Sequence, residues 1–141
     1  MSRTVIVTAE RSGLQQNITI GPHQLRADEP IAFGGTDAGP DPYELLLAAL
    51  GACTGMTVRM YAERKKWPLE RVQIQLEHSK IHADDCANCE SQPRSLDRIE
   101  TKISFTGKLS ADQLQRLREI ADKCPVHRTL SSHVQIHTAV V

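Results

Sequence analysis

The feature that most constrains the fold is one long, almost wholly apolar helix in a chain of 141 residues. Asp41 is suited to be its N-cap, Pro42 fits the first helical position, and Glu44 completes a capping box. Residues 45–56 are apolar nearly all the way round, and the helix is predicted to run to about residue 66, where Trp67-Pro68 ends it. A helix of this kind has to be buried on all sides, which one small sheet cannot achieve alone.

Short alternating segments surround this helix. They predict strands at 3–8, 17–20 and 23–27 before it, at 72–81 and 99–105 after it, and at 134–140 near the C-terminus. A second capping box at Ser110 opens a second helix, with Cys124 expected in its last turn and Pro125 as its stop. The order of elements predicts an α+β fold in a single domain over residues 1–141.

Composition excludes several classes of partner. Seventeen basic residues balance seventeen acidic ones, so we expect no nucleic acid and no anionic membrane as partner. The N-terminus lacks the apolar core of a signal peptide, and the apolar run 45–50 is far shorter than the roughly 20 residues of a membrane span. A cytoplasmic protein is therefore expected, in a compartment where standing disulfides are rare.

Four cysteines in such a chain indicate thiol chemistry or metal binding before structural disulfides. Cys53 lies deep in the central helix, too far from its N-terminus for the helix dipole to favour a thiolate, and would need a cation from elsewhere. Cys124, expected at a helix C-terminus, suits a resolving thiol better than an attacking one. The spacing alone is equally compatible with two unreactive core cysteines, since cysteine is often fully buried.

The pair Cys86-x-x-Cys89 lies in a polar insert, residues 82–96. Together with His82 it has the donors for a zinc ion, and the two thiols alone can form a reversible disulfide. An exposed loop with two idle thiols is a third interpretation, and neighbouring carboxylates argue against a highly reactive pair. The loop at Gly34-Gly35 lacks the strand and helix context of a nucleotide site, and no cofactor is expected.

Three segments resemble the OsmC/Ohr family of bacterial thiol-dependent peroxidases, which act on organic hydroperoxides. They are residues 42–46, the stretch 48–56 around Cys53, and residues 123–126 around Cys124, and the similarity of order and spacing spans the whole chain. The resemblance implies an intertwined homodimer, with the two central helices packed together and each active site at the subunit interface. It further implies Cys53 as the peroxidatic thiol and Cys124 as the resolving thiol.

The sequence departs from this family at the position after the helix-opening proline. The family has a glutamate there, which with an N-terminal arginine activates the attacking cysteine, whereas this chain has Tyr43 and places the carboxylate at Glu44. About 900° of helical rotation separates Glu44 from Cys53, so the two project from opposite faces, and Glu44 is interpreted first as the capping-box carboxylate. Tyr43, Glu44 and Arg11 remain site candidates.

Arg26 is the second choice for the activating arginine. His127, three residues after Cys124, can hydrogen-bond or protonate a thiol, although a packed histidine at a helix exit explains it as well.

Two hypotheses of function follow. The first is a cysteine-based peroxidase that reduces organic or small hydroperoxides, with an external dithiol as reductant. The alternative is an OsmC-fold, stress-associated binding domain with little or no peroxidase activity. The Tyr43/Glu44 shift favours the second hypothesis, while retention of Cys53 and Cys124 favours the first, which is the one adopted.

Overall fold

The computed structural model describes residues 3–82 and 95–141, with the side chains of residues 82 and 95 excluded. Its elements follow the chain as β1 (Val5–Ala9), β2 (Gln16–Ile20), β3 (His23–Ala27), a 3-10 turn (Ile31–Phe33), α1 (Pro42–Lys65), β4 (Leu69–His82), β5 (Ser95–Gly107), α2 (Ala111–Ala121) and α3 (Pro125–Leu130). The predicted α+β class is confirmed. The chain divides into two compact units, one up to Leu46 and the other from Leu47 onward.

The first unit contains an antiparallel sheet in the order β1-β2-β3, with Val5 opposite Ile20 and Ile20 opposite His23. The loop that follows is organised around the buried carboxylate of Asp28. Its oxygens accept the Thr36 hydroxyl at 2.7 Å and the backbone N–H groups of Glu29, Thr36 and Ala38 at 2.8 to 3.1 Å. The Thr36 hydroxyl, then the Ala38 and Glu29 N–H groups, hold the pKa of Asp28 at about 2.

The capping box predicted for α1 is present. The backbone N–H of Asp41 donates to the Glu44 carboxylate at 2.9 Å, and the N–H of Glu44 donates to the Asp41 carboxylate at 2.8 Å. At the other end Lys66 adopts φ 57° and the N–H of Trp67 donates to the carbonyl of Ala62, which closes the last turn. The helix therefore has the start that the sequence predicts and ends within one residue of the predicted position.

Among the described residues, one stripe of α1 is buried. Its members recur every fourth residue: Leu50, Thr54, Val58 and Ala62. Met56 and Met60, elsewhere on the helix, are 65% and 63% exposed. The described part of a single chain thus does not bury the helix on all sides as predicted, and an apolar face of the helix stays open to solvent there.

By length and composition, α1 is also the one helix among the described residues that is apolar enough to cross a membrane. The core helix of a soluble protein passes the same test, so the length and composition of α1 are weak evidence for a membrane span.

The second unit is built on the long antiparallel hairpin of β4 and β5. Its core joins α1, β4 and α2 through Val58, Ala62, Leu69, Leu117 and Ala121. The sequence suggests that Gly51 and Gly55 admit another backbone, and the element that approaches them is the chain's own β4. A Cβ on Gly51 would lie 2.8 Å from the end of Leu76, and one on Gly55 would lie 3.5 Å from the end of Ile74.

The second capping box is also present, since Ser110 and Gln113 exchange side-chain and backbone hydrogen bonds at the start of α2. The prediction that Cys124 lies in the last turn of this helix is wrong, because α2 ends at Ala121. Cys124 has extended backbone angles, φ −62° and ψ 136°, and is the N-cap of α3, whose first residue is Pro125. A residue before proline avoids helical angles, while proline itself fits the first position of a helix, so this dipeptide starts a helix.

The strand predicted at 134–140 is not formed in the single chain. The whole segment is exposed, with Ile136 84% and Val140 99% accessible. A strand needs the edge of another strand to satisfy its backbone N–H and C=O groups, and nothing in the described part of the chain supplies one here.

Candidate active site

The second unit brings Cys53 and Cys124 together. Cys53 projects from the middle of α1, and Cys124 is placed by the extended N-cap of α3. Both are free thiols, and they lie close enough for each to shift the pKa of the other. Two neighbouring thiols can form a reversible disulfide.

The sulfur of Cys124 is surrounded by hydrogen-bond donors. It accepts the backbone N–H of His127 at 3.4 Å, as the N-cap of α3, and the backbone N–H of Val126 lies near both sulfurs. The Thr54 side chain contacts the same sulfur, and its hydroxyl also lies 2.9 Å from the carbonyl of Leu50. Since a hydroxyl has one proton, Thr54 can donate to only one of these two acceptors at a time.

These donors make Cys124 the more acidic thiol. Burial raises the pKa of Cys124, but the hydrogen bonds from Cys53, His127, Thr54 and Val126 outweigh burial and lower the pKa below its ordinary value. The expectation that Cys124 lies at a helix C-terminus is wrong, because the structure places this residue at the N-terminus of α3.

Cys53 has the opposite character. Burial raises the pKa of Cys53, and the contact with Cys124 raises it further. The nearby Val126 N–H and Thr57 side chain lower this pKa without offsetting the rise. The two thiols interact, so they lose their protons in two steps that belong to the pair rather than to either residue.

A cavity of about 580 Å³ lies beside the pair, between α1, β5, α2 and α3. Most of its lining is apolar, including Leu50, Ile103 and Phe105, and this volume is in the range that holds small organic ligands. Thr54 and His127 line the cavity and also hydrogen-bond Cys124. A molecule in the cavity would therefore be separated from the thiols by a single residue, Thr54 or His127.

The other site candidates belong to the first unit. Arg11 is exposed in the connection between β1 and β2, and Arg26 is exposed on β3. Tyr43, in the first turn of α1, is 50% exposed. The Glu44 carboxylate is engaged in the capping box, as its first interpretation requires. The roles of Arg11, Tyr43 and Glu44 in activating Cys53 stay predictions.

The zinc and disulfide interpretations of the insert also stay predictions. Cys86 and Cys89 lie outside the described residues, as does the side chain of His82. Within the part of the chain that is described, no group of three or more side chains is arranged to hold a metal ion.

Sequence reasoning missed Thr54 and Thr57. Thr57 lies one helical turn after Cys53, and its hydroxyl donates to the Cys53 carbonyl at 2.8 Å. That spacing places the hydroxyl on the same helix face as the thiol, so the sequence does carry a signal for it. Thr54 leaves no such signal, because its contact with Cys124 depends on how α3 packs.

The family comparison matches most of the chain. The model of the family described as OsmC-like protein matches residues 35–139, a stretch that includes both Cys53 and Cys124. No curated protein matches the sequence.

Solved structures share the fold. An OsmC-like protein from Mycoplasma pneumoniae superposes with a TM-score of 0.72 at 17% identity, over 93% of this chain and 88% of that one. The organic hydroperoxide resistance protein OsmC of Legionella pneumophila gives 0.66 at 21% identity, over 92% and 89% of the two chains. The organic hydroperoxide resistance protein OhrB of Bacillus subtilis gives 0.61 at 20% identity, over 92% and 90%. At these identities the likeness establishes the fold alone.

Proposed function

The chain belongs to the family of OsmC-like proteins, and on that basis we propose that it is a cysteine-based peroxidase that reduces organic or small hydroperoxides. The observation that carries this proposal is that the fold brings Cys53 and Cys124 close enough for each thiol to shift the pKa of the other. Family membership supports a redox or peroxidase role in general terms. Two solved proteins of similar fold are described as organic hydroperoxide resistance proteins.

The proposed reaction has two stages. Cys53 attacks the peroxide bond and becomes a sulfenic acid, and Cys124 then condenses with that sulfenic acid to give a disulfide and water. An external dithiol returns the pair to its reduced form. Cys53 suits the attacking role because it is partly exposed, while the buried Cys124 is placed to protect the sulfenic acid from further oxidation. The apolar cavity beside the pair favours an organic hydroperoxide.

We further propose that the working form is a cytoplasmic homodimer. On the open apolar face of α1, Met56 and Met60 are exposed, and the residues that the structure describes do not cover them. The exposed segment 134–140 likewise has a strand pattern without a strand partner. A second copy of the chain would supply both.

A binding domain without strong peroxidase activity is the second candidate. The observation that favours it is that burial and Cys124 raise the pKa of Cys53, which leaves little thiolate at the sulfur that would attack. Tyr43 in place of a glutamate points the same way.

The test is to treat the reduced protein with tert-butyl hydroperoxide and follow each thiol by mass spectrometry. Trypsin separates Cys53 from Cys124, which falls in the short peptide 124–128. We expect loss of both thiols and one Cys53–Cys124 disulfide in the wild type. Cys53→Ser is expected to stop peroxide consumption, and Cys124→Ser to allow one turnover that leaves Cys53 as sulfenic or over-oxidised acid. Unchanged thiols in the wild type would support the binding domain, and equal residual activity in the two variants would contradict the assigned roles.

A further inference from the structure

The cavity beside the thiol pair is larger than a simple hydroperoxide requires. Its volume of about 580 Å³ is in the range that holds drug-sized ligands, and tert-butyl hydroperoxide would fill only a small part of it. Leu50, Ile103 and Phe105 are among the apolar side chains that line the cavity. A ligand that fills it therefore has an apolar body larger than a butyl group.

Two opposite charges stand on the open side of this cavity. Arg118 in the last turn of α2 and Asp122, which directly follows that helix, both line the cavity with exposed side chains. The two side chains do not pair with each other, and neither has a hydrogen bond or an ion pair with another residue that the structure describes. The neighbouring Arg116, in contrast, is bonded to both Tyr61 and Glu119. Both charges of the cavity are therefore available to a ligand.

The spacing of these two charges fits the two ends of a short peptide. Side chains four residues apart on a helix have Cβ atoms roughly 5–6 Å apart, and Asp122 still has helical backbone angles. Two extended residues of a peptide span at most about 7 Å, so its ammonium and carboxylate groups can reach both side chains. A ligand with a carboxylate alone would bind Arg118 but would be repelled by Asp122.

We propose, on the basis of the peroxidase function proposed above, that the substrate is a hydroperoxide carried on an apolar side chain of a peptide of about two residues. The free carboxylate of the peptide binds Arg118, whose guanidinium can hold it with two hydrogen bonds, and its free ammonium group binds Asp122. The apolar side chains of the peptide enter the cavity and pack against Leu50, Ile103 and Phe105.

This orientation directs an apolar side chain of the peptide toward the thiols. Arg118 and Asp122 are exposed, whereas Thr54, which lines the same cavity, is 4% exposed and therefore marks its inner side. Thr54 follows Cys53 in α1, so the inner side of the cavity is the side of the thiol pair. A hydroperoxide group on the inserted side chain thus lies at the end of the cavity where the reaction occurs.

The reaction balances with this substrate. The sulfur of Cys53 takes the outer oxygen of the hydroperoxide, the O–O bond breaks, and the peptide alkoxide gains the thiol proton and leaves as an alcohol. The sulfur of Cys124 then bonds to that of Cys53, and the sulfenic oxygen leaves as water with the proton of the Cys124 thiol. The peptide is reduced by two electrons and the two thiols are oxidised to a disulfide.

The first experiment measures binding without any reaction. The reduced wild-type protein is titrated by NMR with the dipeptide leucyl-leucine, with its N-acetyl derivative and with its C-terminal amide, none of which is oxidised. Ion pairs at exposed sites contribute modestly, so each blocked form is expected to bind about fivefold more weakly than leucyl-leucine. Glycyl-glycine, which has both charges but no apolar side chain, is expected not to bind. Equal binding of leucyl-leucine and its two blocked forms would overturn the proposal.

Two variants assign each charge of the peptide to its partner. Arg118→Gln is expected to abolish the preference for leucyl-leucine over its amide and to keep the preference over the N-acetyl form, and Asp122→Asn is expected to do the reverse. Lys123→Gln and Asp112→Asn make the same changes of charge at exposed positions that do not line the cavity, and they are expected to keep both preferences. If neither cavity variant changes a preference, the peptide does not bind at Arg118 and Asp122.

The second experiment separates the substrate class from the peroxidase function. Oxidation of Cys53 is followed in a single turnover at subsaturating leucyl-leucine hydroperoxide, at its N-acetyl and amide forms, and at tert-butyl hydroperoxide. The unblocked peptide hydroperoxide is expected to react about fivefold faster than either blocked form, and Lys123→Gln to keep this ratio. Oxidation by tert-butyl hydroperoxide without a preference among the peptide forms would overturn the substrate class and leave the peroxidase function standing. A wild-type protein that reacts with none of the hydroperoxides would overturn both.

Discussion

At the scale of residues, the donors around the Cys124 sulfur decide how the pKa values of the two thiols are ranked. Cys124 is completely buried, which by itself would raise its pKa, yet its donors lower it. Cys53 is less buried, and its pKa is raised first by burial and then by the neighbouring Cys124 thiol. Local donors therefore matter more than depth of burial in ranking the two thiols.

Asp28 follows the same rule with a carboxylate. The Thr36, Ala38 and Glu29 donors lower the pKa of Asp28 from 3.8 to about 2. The ionised carboxylate therefore stabilises the folded protein above pH 3.8. This contribution is lost as the pH falls from 3.8 toward 2. Asp28→Asn would turn an amide group toward N–H donors, and we expect it to lower the melting temperature at pH 7 by several degrees. Thermal melts between about pH 7 and 2, followed by circular dichroism, should show a flatter acid decline in this variant. Glu10→Gln, at an exposed site in the same unit, is the charge-matched control, and an equally steep decline in Asp28→Asn would contradict the assignment.

At the scale of elements, sequence predicts helix starts well because a capping box is local. Asp41 with Glu44, and Ser110 with Gln113, each act within three residues, and both boxes form as predicted. The error at Cys124 is of a different kind. Pro125 was interpreted as the stop of α2, whereas the chain leaves α2 three residues earlier and uses the proline to begin α3. A proline fits both situations, and only the packing of α2 decides between them.

The contact of α1 with β4 gives a prediction for the two glycines of the helix. Alanine is favoured over glycine inside a helix by about 1 kcal/mol. A Cβ at Gly55 would make an ordinary contact with Ile74 at 3.5 Å, so Gly55→Ala is expected to raise the free energy of unfolding by roughly 0.5–1 kcal/mol. At Gly51 the Cβ would lie 2.8 Å from Leu76, which has to move, so Gly51→Ala is expected to gain less or to lose stability. Urea unfolding of both variants at one protein concentration measures this difference. Equal changes in the free energy of unfolding would show that β4 does not approach Gly51 more closely than it approaches Gly55.

At the scale of the whole molecule, the sequence predicts the α+β class and order of the elements and the presence of two thiols, because periodicity and residue type carry that information. It does not predict which of the two thiols has the lowered pKa, since Thr54 and the Val126 N–H come near the sulfurs only through the packing of α1 against α3. It also predicts a strand at 134–140 that a single chain does not form. The dimer proposed above would account for that difference and for the open face of α1, since part of the predicted burial and pairing would then lie between two copies of the chain.

The last prediction tests that assembly. Met56 and Met60 are 65% and 63% exposed on α1, so a partner that packs on this helix would bury them. Sedimentation velocity at micromolar concentration is expected to give a dimer for the wild type. Met56→Lys combined with Met60→Lys would force charges into the interface, and it is expected to give monomers or to unfold the protein, because an obligate dimer has no stable folded monomer. Gln73→Lys with Gln75→Lys adds the same two charges to exposed positions of β4, and this control is expected to remain dimeric. A folded wild-type monomer, or a lysine variant of α1 that stays dimeric, would show that α1 does not form a dimer interface.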